Sequence, residues 1–292
     1  MGANPKKNTP PPKQNNFRGN AASTVIMCNK WREAAKNFAA PPLAPPPLGP
    51  PETPLHHWKL DEAAGADEAA DTGTSATKVT LTLVGNNAEF LGLGAGGGVA
   101  LPNTTYADNN FLDMLLGNTL TLPAKDGFTF MVWVRYYADH GDAAERKILY
   151  LSQNGGNYEF QLSSYAQARG GCGAWCDKLL LLLLLTDKGG TGPSSIIHAV
   201  DPLDRPPGQW SHVAWTVTAN GAWSLYRDGE TQGDWHWPVE TTGGTGTGTV
   251  PITFNEFTLG DRLNGDLRDA RLYDRALSAA EIKHIFDYTK RG

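Results

Sequence analysis

The chain has 292 residues, of which 40% are hydrophobic and 10% aromatic, so it contains enough apolar material for a sizeable core and is not disordered throughout. Its net charge of −5 is unevenly divided, because residues 1–50 hold seven Lys or Arg and one acid, Glu33, which leaves −11 for the remainder. An acidic body without a Lys/Arg cluster argues against nucleic acid as its partner.

Residues 1–54 contain twelve of the twenty prolines, and this composition predicts a basic, proline-rich arm outside the folded body. Within the arm, residues 21–40 have helical spacing of apolar side chains at Met27, Trp31 and Phe38, which predicts one short amphipathic helix. Such a helix is marginal by itself in water, so its aromatic side chains need a surface to cover them. That surface is either the chain's own body or another protein subunit.

Residues 55–292 show alternating apolar and polar positions separated by turn residues, the pattern of antiparallel strands. The clearest strand places Phe128, Phe130, Val132 and Val134 on one face and Thr129, Met131, Trp133 and Arg135 on the other. Further strands are predicted at residues 148–151, 158–162, 179–185, 210–217, 222–227, 254–260 and 266–273. Strands that follow one another without intervening helices favour a two-sheet sandwich or jelly roll.

The chain closes on a predicted helix. Ser278 and Glu281 have the spacing of a capping box, and Ile282, Ile285 and Phe286 form an apolar stripe. The longest apolar run, residues 179–185, is too short for a membrane span. No charged-then-apolar secretory signal opens the chain, so we expect an intracellular or organellar location rather than secretion.

Four segments together resemble the laminin-G-like jelly-roll domains of the concanavalin A-like lectin and glucanase superfamily. They are residues 57–73 with their His-Trp-Lys-Leu-Asp-Glu start, residues 128–135, residues 208–229 with Gly-Gln-Trp-Ser-His-Val, and residues 265–282 with Arg-Ala-Leu-Ser before the helix. The resemblance covers roughly residues 55–288 and implies an all-β fold of two antiparallel sheets packed face to face. Functions in that family range from sugar binding to protein adhesion and parts of larger enzymes.

The resemblance also raises the question of calcium, for which Asp71 and Asp269 are the candidate ligands. Arg268 stands where relatives often have an acid, and an arginine there would repel the ion, so calcium is not favoured and no cofactor is expected. Cys172 and Cys176 are either an ordinary pair of loop cysteines or a local disulfide, and no zinc ligands accompany them.

Catalytic residues are not predicted. Glycosidases of the superfamily need two carboxylates flanking one bond, whereas the strong strands place at most Glu256 near the interior. Asp266 and Asp269 are three residues apart and should therefore point to opposite faces of their strand.

The candidate ligand site is an aromatic loop with Trp235, His236 and Trp237, since flat indole rings suit sugar rings or a protein partner. The alternative is that both indoles fold back over the sandwich edge. Two functions of different class follow from these features. The first is a non-catalytic accessory subunit that anchors itself in a larger assembly through the arm, and the second is a carbohydrate-binding module.

Overall fold

The structure is a computed structural model of the chain. It describes residues 51–104, 108–114, 118–122, 127–137, 145–152, 158–165, 179–185, 199–200, 207–218, 222–236 and 252–290. The predicted helix at residues 21–40, with Met27, Trp31 and Phe38, lies outside these ranges, as do Cys172 and Cys176. Within these ranges, no helix combines the length and apolar character that crossing a membrane requires.

Strands dominate the described chain. In chain order they are β1 (His56–Trp58), β2 (Glu68–Ala69), β3 (Leu81–Val84), β4 (Glu89–Phe90), β5 (Val99–Pro102), β6 (Phe111–Met114), β7 (Leu120–Leu122), β8 (Phe128–Tyr136), β9 (Glu145–Ser152), β10 (Tyr158–Tyr165), β11 (Leu179–Leu185), β12 (Ala199–Val200), β13 (Trp210–Val217), β14 (Ala222–Arg227), β15 (Glu230–His236), β16 (Ile252–Phe254), β17 (Glu256–Leu259) and β18 (Asn264–Tyr273). A short 3-10 turn spans Leu93–Ala95, and helix α1 spans Ala279–Thr289.

The strands form two large sheets. Sheet A has eight strands in the order β15-β14-β13-β8-β18-β5-β4, with β1 also paired to β18. Sheet B has eight strands in the order β12-β11-β10-β9-β17-β6-β3-β2, and β16 pairs with β7 separately. The pairings are antiparallel throughout, including the predicted β9–β10 pair. This arrangement confirms the predicted all-β, two-sheet sandwich with a C-terminal helix.

The apolar faces of both sheets meet in one core. Phe130 and Val132 of β8 contribute from sheet A, and Leu149 of β9 and Phe257 of β17 contribute from sheet B. Trp58 is fully buried between them, with its ring 5.0 Å from that of Phe257 and its indole Nε1 donating to the carbonyl of Val79. The alternation predicted for β8 is therefore confirmed, because one side of each strand supplies this layer.

Helix α1 covers part of the opposite face of sheet A. Its N-terminus is closed by the predicted capping box, in which Ser278 Oγ accepts from the Glu281 amide and the Glu281 carboxylate accepts from the Ser278 amide. The buried side of the helix packs on the outward residues of the sheet. Residues of the sheet, of the helix and of the segment before it together form a second apolar cluster: Met131, Ala214, Tyr226, Tyr273, Leu277, Ile282 and Ile285. Phe286 extends this contact, with its ring stacked 5.5 Å from Trp133.

The chain contacts the sandwich slightly before the predicted boundary at residue 55. The amide of Thr74 donates to the carbonyl of Pro54 at 2.9 Å, and Arg275 binds the carboxylate of Glu52. Residues 52–54 are therefore tied to the β1 and β18 region.

His212 is a buried titratable group beneath helix α1. Burial lowers its pKa to about 3, the positive charge of Arg271 acts in the same direction, and Asp269 opposes both. Its imidazole lies 5.2 Å from the ring of Trp133, and its Nδ1 has no hydrogen-bond partner in the described structure. The folded protein therefore holds this histidine neutral at a pH where an unfolded chain would protonate it.

We expect acid to destabilise the fold through His212. Between its unfolded pKa of 6.5 and its folded pKa of about 3, the unfolded state binds the extra proton, so stability falls as pH falls. The expected loss between pH 7 and pH 5 is about 2 kcal/mol from this group. Urea unfolding at both pH values should show a smaller loss in His212→Leu than in the wild type. His284→Gln, at a partly exposed helix position, is the control and should keep the wild-type loss; an unchanged loss in His212→Leu would contradict this assignment.

Candidate functional site

A row of polar side chains crosses the outer face of sheet B. Asp113 of β6 lies directly opposite Thr82 of β3 on one side and Thr258 of β17 on the other, and Thr258 lies opposite Tyr150 of β9. We call these four residues the polar row. Their neighbours along each strand include Leu81, Leu112, Leu149 and Leu259, all buried in the core, so alternation directs the row away from it.

The polar row follows from the sequence of each strand. β3, β6, β9 and β17 each place a polar residue between two apolar ones, as in Leu112-Asp113-Met114 and Phe257-Thr258-Leu259. Antiparallel pairing then brings the polar positions of neighbouring strands into register, with side chains on one face about 5 Å apart. Three strand spacings give the row a length of about 14 Å.

The row has unused hydrogen-bonding capacity. Thr82, Asp113, Thr258 and Tyr150 are all partly exposed. The hydroxyls of Thr82 and Thr258 have no hydrogen-bond partner in the part of the chain that is described. A covered hydroxyl without a partner costs about 1–3 kcal/mol, and rotation about χ1 can turn it toward a ligand on the sheet surface.

Asp113 is the acidic residue of the polar row. Burial raises the pKa of its carboxyl, the negative charge of Glu256 raises it further, and the amide of Met114 opposes the shift. Glu256 lies two residues from Thr258 along β17 and is partly exposed, which places it diagonally across from Asp113. The predicted position of Glu256 near the interior is wrong, because β17 turns Phe257 and Leu259 inward instead.

One end of the row is aromatic and the adjoining edge is apolar. Lys147 Nζ lies 4.3 Å from the centre of the Tyr150 ring and 3.1 Å from the carboxylate of Asp261, so its charge is matched within the protein. Next to the row, the partly exposed side chains of Val84 and Phe111 face each other across β3 and β6. The surface thus combines hydroxyls, a carboxylate and flat apolar contacts, which suits a polyhydroxylated ligand.

The predicted aromatic loop lies elsewhere. Trp235 and His236 end β15, the outermost strand of sheet A, where they pair in register with Trp223 and Ala222. Trp237 lies outside the described residues. The loop and the polar row therefore belong to different sheets, and the ligand role of Trp235, His236 and Trp237 stays a prediction.

The candidate calcium ligand Asp71 is occupied by protein donors. Its carboxylate accepts from His56 Nδ1 at 2.7 Å and from the amides of His57, Gly73 and Val79. Burial by itself would raise the pKa of Asp71, but these hydrogen bonds lower it to about 2. Among the described residues, no group of three or more His, Cys, Asp or Glu is placed to hold a metal ion.

Asp269 is likewise bound by protein groups, and its position differs from the prediction. β18 bulges at this point, since Arg268 pairs with Trp133 and Arg271 with Met131, so two residues oppose Val132. Asp269 has a φ of 54° and accepts from His57 Nε2 at 2.7 Å and from the Arg271 guanidinium. Burial opposes ionisation of Asp269, yet these partners lower its pKa.

The bulge corrects the expectation that Asp266 and Asp269 face opposite ways. Asp266 is bound by Arg135 and Tyr137, and Asp269 by Arg271, all on the outer side of sheet A. Each carboxylate therefore has its own arginine. Arg268 lies between two indoles on the same side, 5.0 Å from Trp133 and 4.4 Å from Trp210.

The fold is that of a lectin-like sandwich. The Laminin_G_3 model, described as concanavalin A-like lectin/glucanases superfamily, matches residues 93–283. The chain belongs to this laminin-G-like family.

Curated relatives match a smaller part. The neuronal pentraxin receptor of Homo sapiens is 34% identical over 102 residues, which cover 30% of this chain and 19% of the receptor. The chain thus spans about a fifth of that relative.

Solved structures of low identity share the fold. One of them is described as "Cell entry of botulinum neurotoxin type C is dependent upon interaction with two ganglioside molecules". It has a TM-score of 0.56 and 11% identity, and the match covers 82% of this chain and 52% of that one. The binding domain of botulinum neurotoxin DC in complex with rat synaptotagmin II has a TM-score of 0.55 and 12% identity, with the same coverage. This chain spans about half the length of each.

We expect Asp71→Asn to destabilise the fold. The asparagine side chain would turn its NH₂ donor toward N–H groups that now bind a carboxylate. A buried charged hydrogen-bond network of this kind contributes about 2–4 kcal/mol to the free energy of unfolding. Urea unfolding at pH 7 measures the loss. Asp274→Asn, at an exposed position, is the matched control and should change stability by less than about 0.5 kcal/mol. Equal stability of the two variants would show that the Asp71 network is not needed.

Proposed function

We propose that this protein is a lectin-like module that binds a glycan across the outer face of sheet B. The observation that supports this most is the polar row, in which two partnerless threonine hydroxyls flank the Asp113 carboxylate in register. Sugar hydroxyls both donate and accept hydrogen bonds, so they can satisfy hydroxyls and a carboxylate together. Tyr150 at the end of the row offers a ring for stacking.

The comparisons support a binding role of this general kind. Family membership places the chain among lectin-like folds. The fold neighbours include a toxin structure whose title names two ganglioside molecules and one whose title names a protein receptor. Those ligands belong to the neighbours, and for this chain we propose the glycan alone at sheet B.

We propose that the module is non-catalytic and needs no metal. Asp266 and Asp269 are each paired with an arginine, which leaves neither poised as an acid or a nucleophile. Asp71 is satisfied by the His56 ring and by backbone amides, and Asp269 by the His57 ring and the Arg271 guanidinium. A hard cation needs several oxygen ligands that are not already committed.

A second candidate function rests on the sequence of the arm. Seven basic residues and one acid in residues 1–50 favour an anchor that binds other protein subunits through Met27, Trp31 and Phe38, with the sandwich as a rigid accessory body. An intracellular or organellar assembly would then be its location. Deleting residues 1–51 tests this role: loss of co-purifying subunits with an intact sandwich supports it, and unchanged co-purification contradicts it.

We expect variants of the polar row to weaken glycan binding. Asp113→Ala removes a charge-assisted acceptor and should weaken a ligand found on a glycan array by about 10- to 100-fold. Thr258→Val keeps the β-branched shape but removes the hydroxyl, and should weaken it about fivefold. Titration calorimetry measures both.

Two controls distinguish the row from other sites. Thr231→Val makes the same change on an exposed position of β15 and should bind like the wild type. Trp235→Ala with Trp237→Ala tests the aromatic loop. Loss of binding in the tryptophan variant with full binding in Asp113→Ala would move the site to the loop.

We expect chelation to have no effect on this binding. EDTA should leave both the glycan affinity and the thermal midpoint of unfolding unchanged, because the acidic side chains proposed for calcium are already bound by protein groups. Differential scanning fluorimetry with EDTA and with added calcium checks this. A midpoint that rises with calcium concentration would reveal a metal site.

A further inference from the structure

The charges around the polar row are unbalanced. Asp113 lies in the row, Glu256 is diagonal to it, and Glu68 is exposed on β2 opposite Thr82. Lys147 Nζ lies 4.3 Å from the centre of the Tyr150 ring, and Asp261 already pairs with it at 3.1 Å. Among the described residues, a ligand on this surface therefore meets three carboxylates, and the one cation beside the row, Lys147, is already paired.

This charge pattern discriminates between sugars. A hydroxyl can donate to Asp113 and Glu256, whereas a sugar carboxylate or sulfate has no proton to donate and is repelled. The row is also partly covered, where repulsion between like charges is screened less than at a fully exposed surface. Rejection of the wrong ligand by an unpaired charge is a common source of specificity.

The shape of the row limits the ligand as well. It runs across four strands, β3, β6, β17 and β9, in one line of about 14 Å, which accommodates an extended oligosaccharide of about three rings. Hydrogen-bonding groups at each strand, with the Tyr150 ring at one end, favour a chain that lies flat along the row over a single sugar held end-on.

We infer that the outer face of sheet B is selective for short, linear, neutral oligosaccharides and excludes glycans that carry carboxylate or sulfate groups at the same positions. This inference rests on the proposed glycan-binding function and specifies its ligand class. Asp113 and Glu256 are the specificity-determining residues, and Thr82, Thr258 and Tyr150 provide the contacts common to all sugars.

The test uses matched neutral and acidic sugars. Linear hexose trisaccharides are compared with uronic acid trisaccharides of the same linkage, such as galactotriose with trigalacturonic acid, by titration calorimetry against the full chain. We expect the best neutral trisaccharide to bind at least tenfold more tightly than its acidic counterpart. Equal or tighter binding of the acidic sugar overturns the inference while leaving glycan binding itself intact.

A charge-removing variant locates the selectivity. Asp113→Asn combined with Glu256→Gln keeps polar groups of the same size but removes both charges, so neutral binding should weaken while the preference for the neutral over the acidic sugar falls below threefold. Glu230→Gln, at an exposed position of β15 in sheet A, is the control and should keep the full preference. A preference that survives in the double variant contradicts the role of these two carboxylates.

Salt provides a second measurement that needs no variant. Raising the ionic strength from 50 to 500 mM should strengthen binding of the acidic sugar severalfold by screening the repulsion, and leave the neutral sugar unaffected. An acidic sugar that weakens with salt would show an attractive site and overturn the inference. If neither kind of trisaccharide binds the wild type at millimolar concentration, the proposed function itself fails.

Discussion

The apolar layer between sheets A and B determines which side chains reach the surface of this protein. Trp58, Phe130, Leu149 and Phe257 fill that layer from both sides. Because strands alternate with a period of two, each inward residue sends its neighbours outward. Burial of this layer is the main source of stability, so the register of every outward row is set by the core and not by the row itself.

The two outward faces are used differently. On sheet A, helix α1 covers Met131, Ala214 and Tyr226, and the β18 bulge directs Asp269 toward His57 and Arg271. The carboxylate of Asp269 is thereby bound within the protein. On sheet B, the polar row keeps hydroxyls without described partners and a carboxyl whose pKa burial raises. A partly exposed row whose hydroxyls have no partner among the described residues is the better place for a ligand.

The carboxylates of the two sheets differ in the same way. Two carboxylates of sheet A are each neutralised by an arginine, Asp266 by Arg135 and Asp269 by Arg271. Asp113 and Glu256 on sheet B instead lie near each other, and the charge of Glu256 adds to burial in raising the pKa of Asp113. A sugar hydroxyl that donates to these carboxylates reduces the repulsion between them, and an anionic sugar adds to it. The geometry of the row therefore determines the kind of sugar it can accept.

The sequence by itself determined the sandwich, the long strands and the capped helix, because period-two alternation in β8 and the Ser278–Glu281 capping box are local patterns. It did not reveal the polar row, since β3, β6 and β17 have four residues each and are too short for alternation to be recognised. Alternation along the sequence also predicts Asp266 and Asp269 on opposite faces, which is wrong because β18 bulges beside Asp269. The bulge depends on the pairing of β18 with β8 and β1, which the local sequence does not specify. Which polar residues meet is decided by the pairing of strands distant in sequence, and only the tertiary structure supplies that pairing.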